Sequence, residues 1–239
     1  MLNFKILGVP VQVQPIFWLM AFVIGGGFGI EPNREGFIAI LLSMAVIFLS
    51  VLVHEFGHAL TSRTLTGVNP SVSLVAMGGL ATPNTHLTNK QSFWVTWAGP
   101  LAGFGLFLIT LLGLIFVYGP SSGLHFAFAY LIPGIDPDQR FLEVALNMNR
   151  FVFVGVTMLL FANFWWSVIN LLPVFPLDGG QIYAAVEPSQ IKVVTVGMVT
   201  GIIAAVAFLI FGRLIGAVLF GFLAYENYQR LQQIKGGYR

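Results

Sequence analysis

From Gly36 to Ser62 the chain reads GFIAILLSMAVIFLSVLVHEFGHALTS, and its one formal charge is Glu55. A stretch this long and this apolar has few places to go. A helix of about 20 such residues crosses a hydrocarbon core roughly 30 Å thick, and inside lipid only helices and closed barrels satisfy their own backbone. Further runs of the same kind lie at about Pro15 to Ile30, Phe93 to Tyr118 and Phe151 to Leu172, and an apolar region extends from Ile191 to about Tyr225, interrupted by Arg213. Charged residues make up only 8% of the chain and mean hydropathy is +0.87, against roughly 25% charged in an average globular protein. These values describe an integral membrane protein. The net charge of +2 is small and scattered, which argues against a nucleic-acid partner. Cys is absent, so disulfides and thiolate metal sites are excluded. The first run has no basic leader and no small-residue cleavage site, and reads as a retained span.

The segments between the spans are informative. The opening NFKILGVPVQVQP alternates and holds two prolines, which predicts extended structure over Asn3 to Gln14. EPNREG, Glu31 to Gly36, is a polar turn. Residues 66 to 92 alternate in part and carry Gly78-Gly79 with one charge, Lys90. They predict a membrane-associated β-hairpin with extended chain near Ser71 to Leu80, in a place where protein or a water-filled cavity satisfies the backbone. DPDQRFLEVALNMNR within residues 119 to 149 predicts an interfacial amphipathic helix. The region after Ile191 reads as two helices, the second short, giving about six spans. With that count, Lys5, Arg63, Lys90, Lys192, Arg230, Lys235 and Arg239 fall on one side and Arg34, Arg140, Arg150 and Arg213 on the other. The bias places both termini in the cytoplasm. The fold class expected is an all-α polytopic membrane protein, a single domain over residues 1–239, with short β elements.

Within the charge-poor second span stands HEFGH, His54 to His58. Histidines four apart share one helix face, so both rings reach one metal ion. Glu55 lies about 100° round the helix from His54 and can reach a water at the metal without being a ligand. This is the H-E-x-x-H pattern of zinc hydrolases. In that chemistry the metal activates water and polarises a carbonyl, while the glutamate moves the proton. His54 lies about 13 Å along the helix from Arg63, and a bare carboxylate at such depth costs at least about 2.5 kcal/mol. Metal coordination and an internal cavity would offset that cost. The competing reading is a hydrogen-bonded polar cluster, such as a proton relay. A third protein ligand is needed. His86 and His125 each stand alone in polar connections. Asp178, in NLLPVFPLDGG after the fourth span, is the better candidate: Pro173 and Pro176 prevent a regular helix, and Gly179 and Gly180 allow a tight turn. By composition alone it reads equally as a turn aspartate outside the membrane.

With HEFGH followed by NLLPVFPLDGG, the chain resembles the site-2 protease family of intramembrane zinc metalloproteases. MGGLA (Met77 to Ala81) and AGPLAG (Ala98 to Gly103) are similar to further family signatures. The resemblance runs from the second span to Gly180. It implies one zinc ion held by His54, His58 and Asp178, Glu55 as general base and acid, and Asn170 in contact with substrate or oxyanion. It implies a β-hairpin at Gly78 and Gly79 that pairs with unwound substrate, which would be a single-span membrane protein in a lipid bilayer. The expected setting is a prokaryotic cell membrane. Many members carry a PDZ or CBS domain, and no insertion here is large enough for one, so gating would fall to the membrane domain or to a regulatory membrane partner. AGPLAG ends in Gly where relatives often have Asn, so Gly99 and Gly103 read as a packing face. Trp165 and Trp166 read as packing or interfacial anchors.

Three other readings compete. A transporter or metal/proton relay would need acidic groups along other spans, and spans one, three and four have none. A non-cleaving relative would have lost a catalytic residue. A prenyl-protein type protease would use a downstream glutamate, and Glu143, Glu187 and Glu226 lie in unsuitable contexts.

Overall fold

The computed structural model describes residues 1–29, 31–75, 78–132 and 134–236. The chain begins with two strands, β1 (Leu2–Ile6) and β2 (Val9–Val13), then α1 (Pro15–Ile24) and a 3-10 turn over Gly27–Gly29. Next come the long helix α2 (Arg34–Thr66) and a second pair of strands, β3 (Ser71–Val75) and β4 (Gly78–Thr82). The remainder is helical: α3 (Asn89–Leu131), α4 (Gln139–Leu146), α5 (Arg150–Asn170), α6 (Asp178–Val186), α7 (Gln190–Ile210) and α8 (Leu214–Gly236).

The two strand pairs form one sheet in the order β1-β2-β3-β4. β1 and β2 are antiparallel, with Leu2 opposite Val13. β2 and β3 run parallel, with Val11 opposite Val72. β3 and β4 are antiparallel, with Val75 opposite Gly78. Side chains alternate across a strand, so Val9, Val11 and Val13 share one face with Val72 and Leu74. That face is buried against Phe17 and Ala21 of α1 and against Ile47, Val51, Leu52, Phe56 and Ala59 of α2. The parallel pairing needs a long crossover, and α1 with α2 supplies it. Arg63 fastens the end of that crossover, donating to the carbonyl of Leu7 at 2.7 Å.

Helix ends follow the local sequence. Asn33 accepts from the backbone N–H of Gly36 at 2.8 Å and opens α2, and Gly67, with φ of 73°, closes it. Thr88 and Gln91 form a reciprocal capping box at the start of α3. Asp138, Asn149 and Ser189 cap α4, α5 and α7. These residues accept the orphan N–H groups of a first helical turn.

Among the described residues four helices, α2, α3, α5 and α7, are long and apolar enough to cross a membrane. The count of six spans is not reached on that measure. The first run shortens to α1, a helix of 10 residues, because Gly25 to Gly27 end it. The last region does form two helices, parted at Gly212, where φ is 68°. The second of them, α8, is not short: it has 23 residues, because the helix continues past the apolar region through Glu226, Asn227, Gln229 and Arg230. The third span ends where the sequence indicates. Gly119 inside α3 is non-helical (φ 80°, ψ 162°), and residues 120–131 fold back, so that a Cβ on Gly123 would stand 2.9 Å from the Ile115 nitrogen. This return segment packs Phe126, Ala127 and Leu131 against Leu111 and Leu114, with Val144 of α4 and Leu160 of α5 completing the cluster. α4 is the amphipathic helix expected in this region, with Val144 buried and Leu142 and Leu146 exposed.

Candidate metal centre

Two turns of α2 and the first residue of α6 meet in the interior. His54 Nε2 lies 3.2 Å from His58 Nε2. His54 Nε2 is 3.1 Å from Asp178 Oδ2, and His58 Nε2 is 3.4 Å from Asp178 Oδ1. All three residues are buried. His58 Nδ1 lies 2.8 Å from the carbonyl of Val95 in α3. A carbonyl only accepts, so Nδ1 carries the hydrogen and the Nε2 lone pair of a neutral ring is left for a ligand role. A partner on the far nitrogen is how ligating histidines are held in orientation.

These donors suit a divalent cation. Two imidazole nitrogens and a carboxylate oxygen lie within 4.8 Å of one another. Their donor atoms converge closely enough for all three to reach one cation. Three nitrogen and oxygen donors match the protein ligand set of hydrolytic metal sites. Among the described residues no other group of His, Asp and Glu converges in this way. His86 lies between β4 and α3, outside the cluster. His125 stands 2.9 Å from Asp138 at the start of α4 and takes no part in it.

Glycines shape the surroundings by letting elements approach. A Cβ on Gly99 of α3 would collide with the His58 ring, and one on Gly79 of β4 would collide with the Glu55 side chain. One on Gly78 would run into the indole of Trp166. Thus β4 lies against the residue between the two histidines, and Glu55 is buried beneath it at 4% exposure. The packing reading of AGPLAG holds in modified form: Gly99 receives His58 from α2, whereas Gly103 receives Ser167 from α5. Trp165 and Trp166 pack into the two main apolar clusters. Met77 of the MGGLA stretch lies outside the described residues.

Asp178 is delivered by an irregular segment, residues 171–177, that follows α5. Gly179 and Gly180 do not make a turn after the carboxylate. They are the second and third residues of α6, and they are small because the helix crosses its own leading segment. A Cβ on Gly180 would stand 2.6 Å from the Phe175 nitrogen, and one on Gly179 would strike the Leu171 carbonyl. Asn170, the last residue of α5, donates Nδ2 to the Trp166 carbonyl at 2.9 Å and is outside the three-residue cluster.

No family model matches the chain. The solved site-2 protease from Methanocaldococcus jannaschii superposes with a TM-score of 0.56 and 21% identity, covering 97% of this chain and 94% of that one. The zinc metalloprotease MJ0392 of the same organism is 26% identical over 184 residues, which is 77% of this chain and 44% of the relative. Fold and sequence therefore converge. The chain is similar in sequence to proteins named zinc metalloproteases and in fold to a site-2 protease. Another relative, Rip2 of Mycolicibacterium smegmatis, also bears a zinc-metalloprotease name and is 27% identical over 223 residues, 78% of this chain and 74% of its own length. The chain spans less than half the length of MJ0392 and of the Synechocystis relative, 44% and 42%. The orienting carbonyl of Val95 was not found by sequence, because a backbone carbonyl leaves no side-chain signal.

Proposed function

We propose that this protein is an intramembrane zinc endopeptidase, a single membrane domain over residues 1–239. It would hydrolyse a peptide bond in or near the transmembrane segment of a single-span membrane protein. The observation that carries this reading is the convergence of His54, His58 and Asp178 in a buried site, with Glu55 between the histidines in sequence. His54 Nε2, His58 Nε2 and the Asp178 carboxylate would hold one zinc ion per chain. When bound, zinc lowers the pKa of a water to about 7 and polarises the carbonyl under attack.

The rest falls to the chain's own residues. Glu55 accepts the proton of the attacking water and returns it to the leaving amide nitrogen. Val95 fixes the ring of His58 through Nδ1. A helical peptide bond is shielded, so the substrate must be extended before it is cut. β4 supports that step. It ends the sheet order, with no strand beyond it among the described residues, and Gly79 lies against Glu55. A substrate strand added to β4 would be fixed by main-chain hydrogen bonds beside the general base, with Gly78 and Gly79 as its closest neighbours. Asn170 would contact substrate or the oxyanion only after its Nδ2 leaves the Trp166 carbonyl. The setting would be a prokaryotic cell membrane with both termini in the cytoplasm, and a regulatory membrane partner would control access. The relay alternative is not favoured, since α3, α5 and α7 carry no acidic residue.

The test is cleavage of a panel of single-span substrates in liposomes by wild type and Glu55→Gln. Cutting by wild type alone, with equal zinc in both proteins, supports the reading. Equal cutting by both removes Glu55 from the mechanism, and absence of bound metal in wild type sinks the zinc reading.

A further inference from the structure

Asp178 sits at the end of an irregular segment, and the last helix grips that segment. Asn227 of α8 is fully buried, at 0% exposure. Its Nδ2 donates to the carbonyl of Phe175 at 2.8 Å and to the Leu223 carbonyl of its own helix, also at 2.8 Å. The amide fits because residue 197 on α7 is glycine: a Cβ there would stand 2.5 Å from Asn227 Oδ1. On the same face, three residues on, Arg230 lays its guanidinium 4.3 Å from the centroid of the Phe175 ring. Phe175 is three residues before Asp178. Val174, also fully buried, packs with Phe220 and Leu223 of α8.

An asparagine is an expensive choice here. The buried residues around it on α8, Leu223, Ala224 and Leu231, are apolar, Oδ1 has no hydrogen-bond partner among the described residues, and an unpaired buried polar atom costs free energy that a leucine would avoid. Its donor, however, reaches out of the α7–α8 pair to the backbone that carries Asp178. Arg230 contacts the same residue from its ring side. Two unlike interactions from one helix face thus converge on Phe175.

We propose that Asn227 and Arg230 are positioning residues, which fix Phe175 so that the Asp178 carboxylate is presented to His54 and His58. The proposal rests on the reading of Asp178 as a metal ligand. Outer partners of metal ligands, when removed, commonly cost about 10–100-fold in affinity.

The test uses the full chain in detergent. Zinc affinity is measured by competition with a chromophoric chelator, and the visible bands of the cobalt-loaded protein are recorded. The variants are Asn227→Leu, Arg230→Gln and Arg230→Lys, with Asp178→Ala as reference and the exposed Tyr228→Leu of the same helix as control. Asn227→Leu and Arg230→Gln are expected to bind zinc about tenfold more weakly and to move the cobalt bands toward those of Asp178→Ala. Arg230→Lys recovers part of the loss, and Tyr228→Leu matches wild type. A lower Tm in Asn227→Leu and Arg230→Gln with unaltered affinity and cobalt bands means helix packing alone, and overturns the proposal. If Asn227→Leu does not fold, Arg230→Gln decides, since its side chain is half-buried. Should Asp178→Ala itself keep wild-type bands and affinity, Asp178 is no ligand, and the functional reading fails along with the positioning role. Loss of the bands in Asp178→Ala with both positioning variants unchanged overturns the positioning role alone.

Discussion

Glu55 and His58 each lie against a glycine, and the two glycines separate their roles. Gly79→Ala forces a methyl into the Glu55 side chain, whereas Gly99→Ala forces one into the His58 ring. The expected outcome for Gly79→Ala is cleavage reduced at least about tenfold with zinc content kept, because the displaced group is the proposed proton carrier and not a proposed ligand. Gly99→Ala should lose zinc, because the displaced group is a proposed ligand, and its cleavage should fall with it. Metal analysis beside a cleavage assay distinguishes the two. Glu55→Gln keeps shape and removes the base, so cleavage should fall about 10²–10⁴-fold while zinc remains stoichiometric. At this scale the sequence was most legible. The spacing of His54 and His58 needs only helix geometry to be interpreted. Asp178 was harder, since its partners are 124 residues away from it in the case of His54, and nothing local states that it returns to them.

At the scale of elements, the apolar runs, the glycines and the two alternating regions located most elements. The break in α3 is the most sharply determined. Gly119 has φ of 80° and ψ of 162°, a conformation open in practice only to glycine. Gly119→Ala should therefore destabilise the protein by about 1–3 kcal/mol. It should leave zinc binding unchanged, because Val95 and Gly99 lie far up the same helix; thermal unfolding with metal analysis checks both. The sheet was legible only in pieces. Alternation marked extended chain near Asn3 to Gln14 and Ser71 to Leu80, but the parallel register of β2 on β3 joins Val11 to Val72. That pairing comes from burying two valine-rich faces together on α1 and α2, not from any turn signal.

For the whole molecule, the metal would be a cross-link. It joins α2 to α6 at one buried point, and a ligand that binds only the folded state adds RT ln(1 + [L]/Kd), about 2.7 kcal/mol at a hundredfold excess over Kd. Chelation should accordingly lower the Tm of wild type and leave that of Asp178→Ala where it is. An equal fall in both would mean that the carboxylate contributes nothing to binding. The sequence by itself determined the membrane class, the helix that bears His54, Glu55 and His58, the strands and the chemistry these residues suit. Apolar runs, caps and an i, i+4 pair act over a few residues, so they can be read from a string. Tertiary structure alone decided that β4 covers Glu55, that Val95 orients His58 and that α8 holds the segment before Asp178. It also reduced the first apolar run to the short α1 and left four helices that meet the length and apolarity of a span. Those outcomes depend on which surfaces bury one another across the chain, and close packing of distant residues leaves no periodic mark in the sequence.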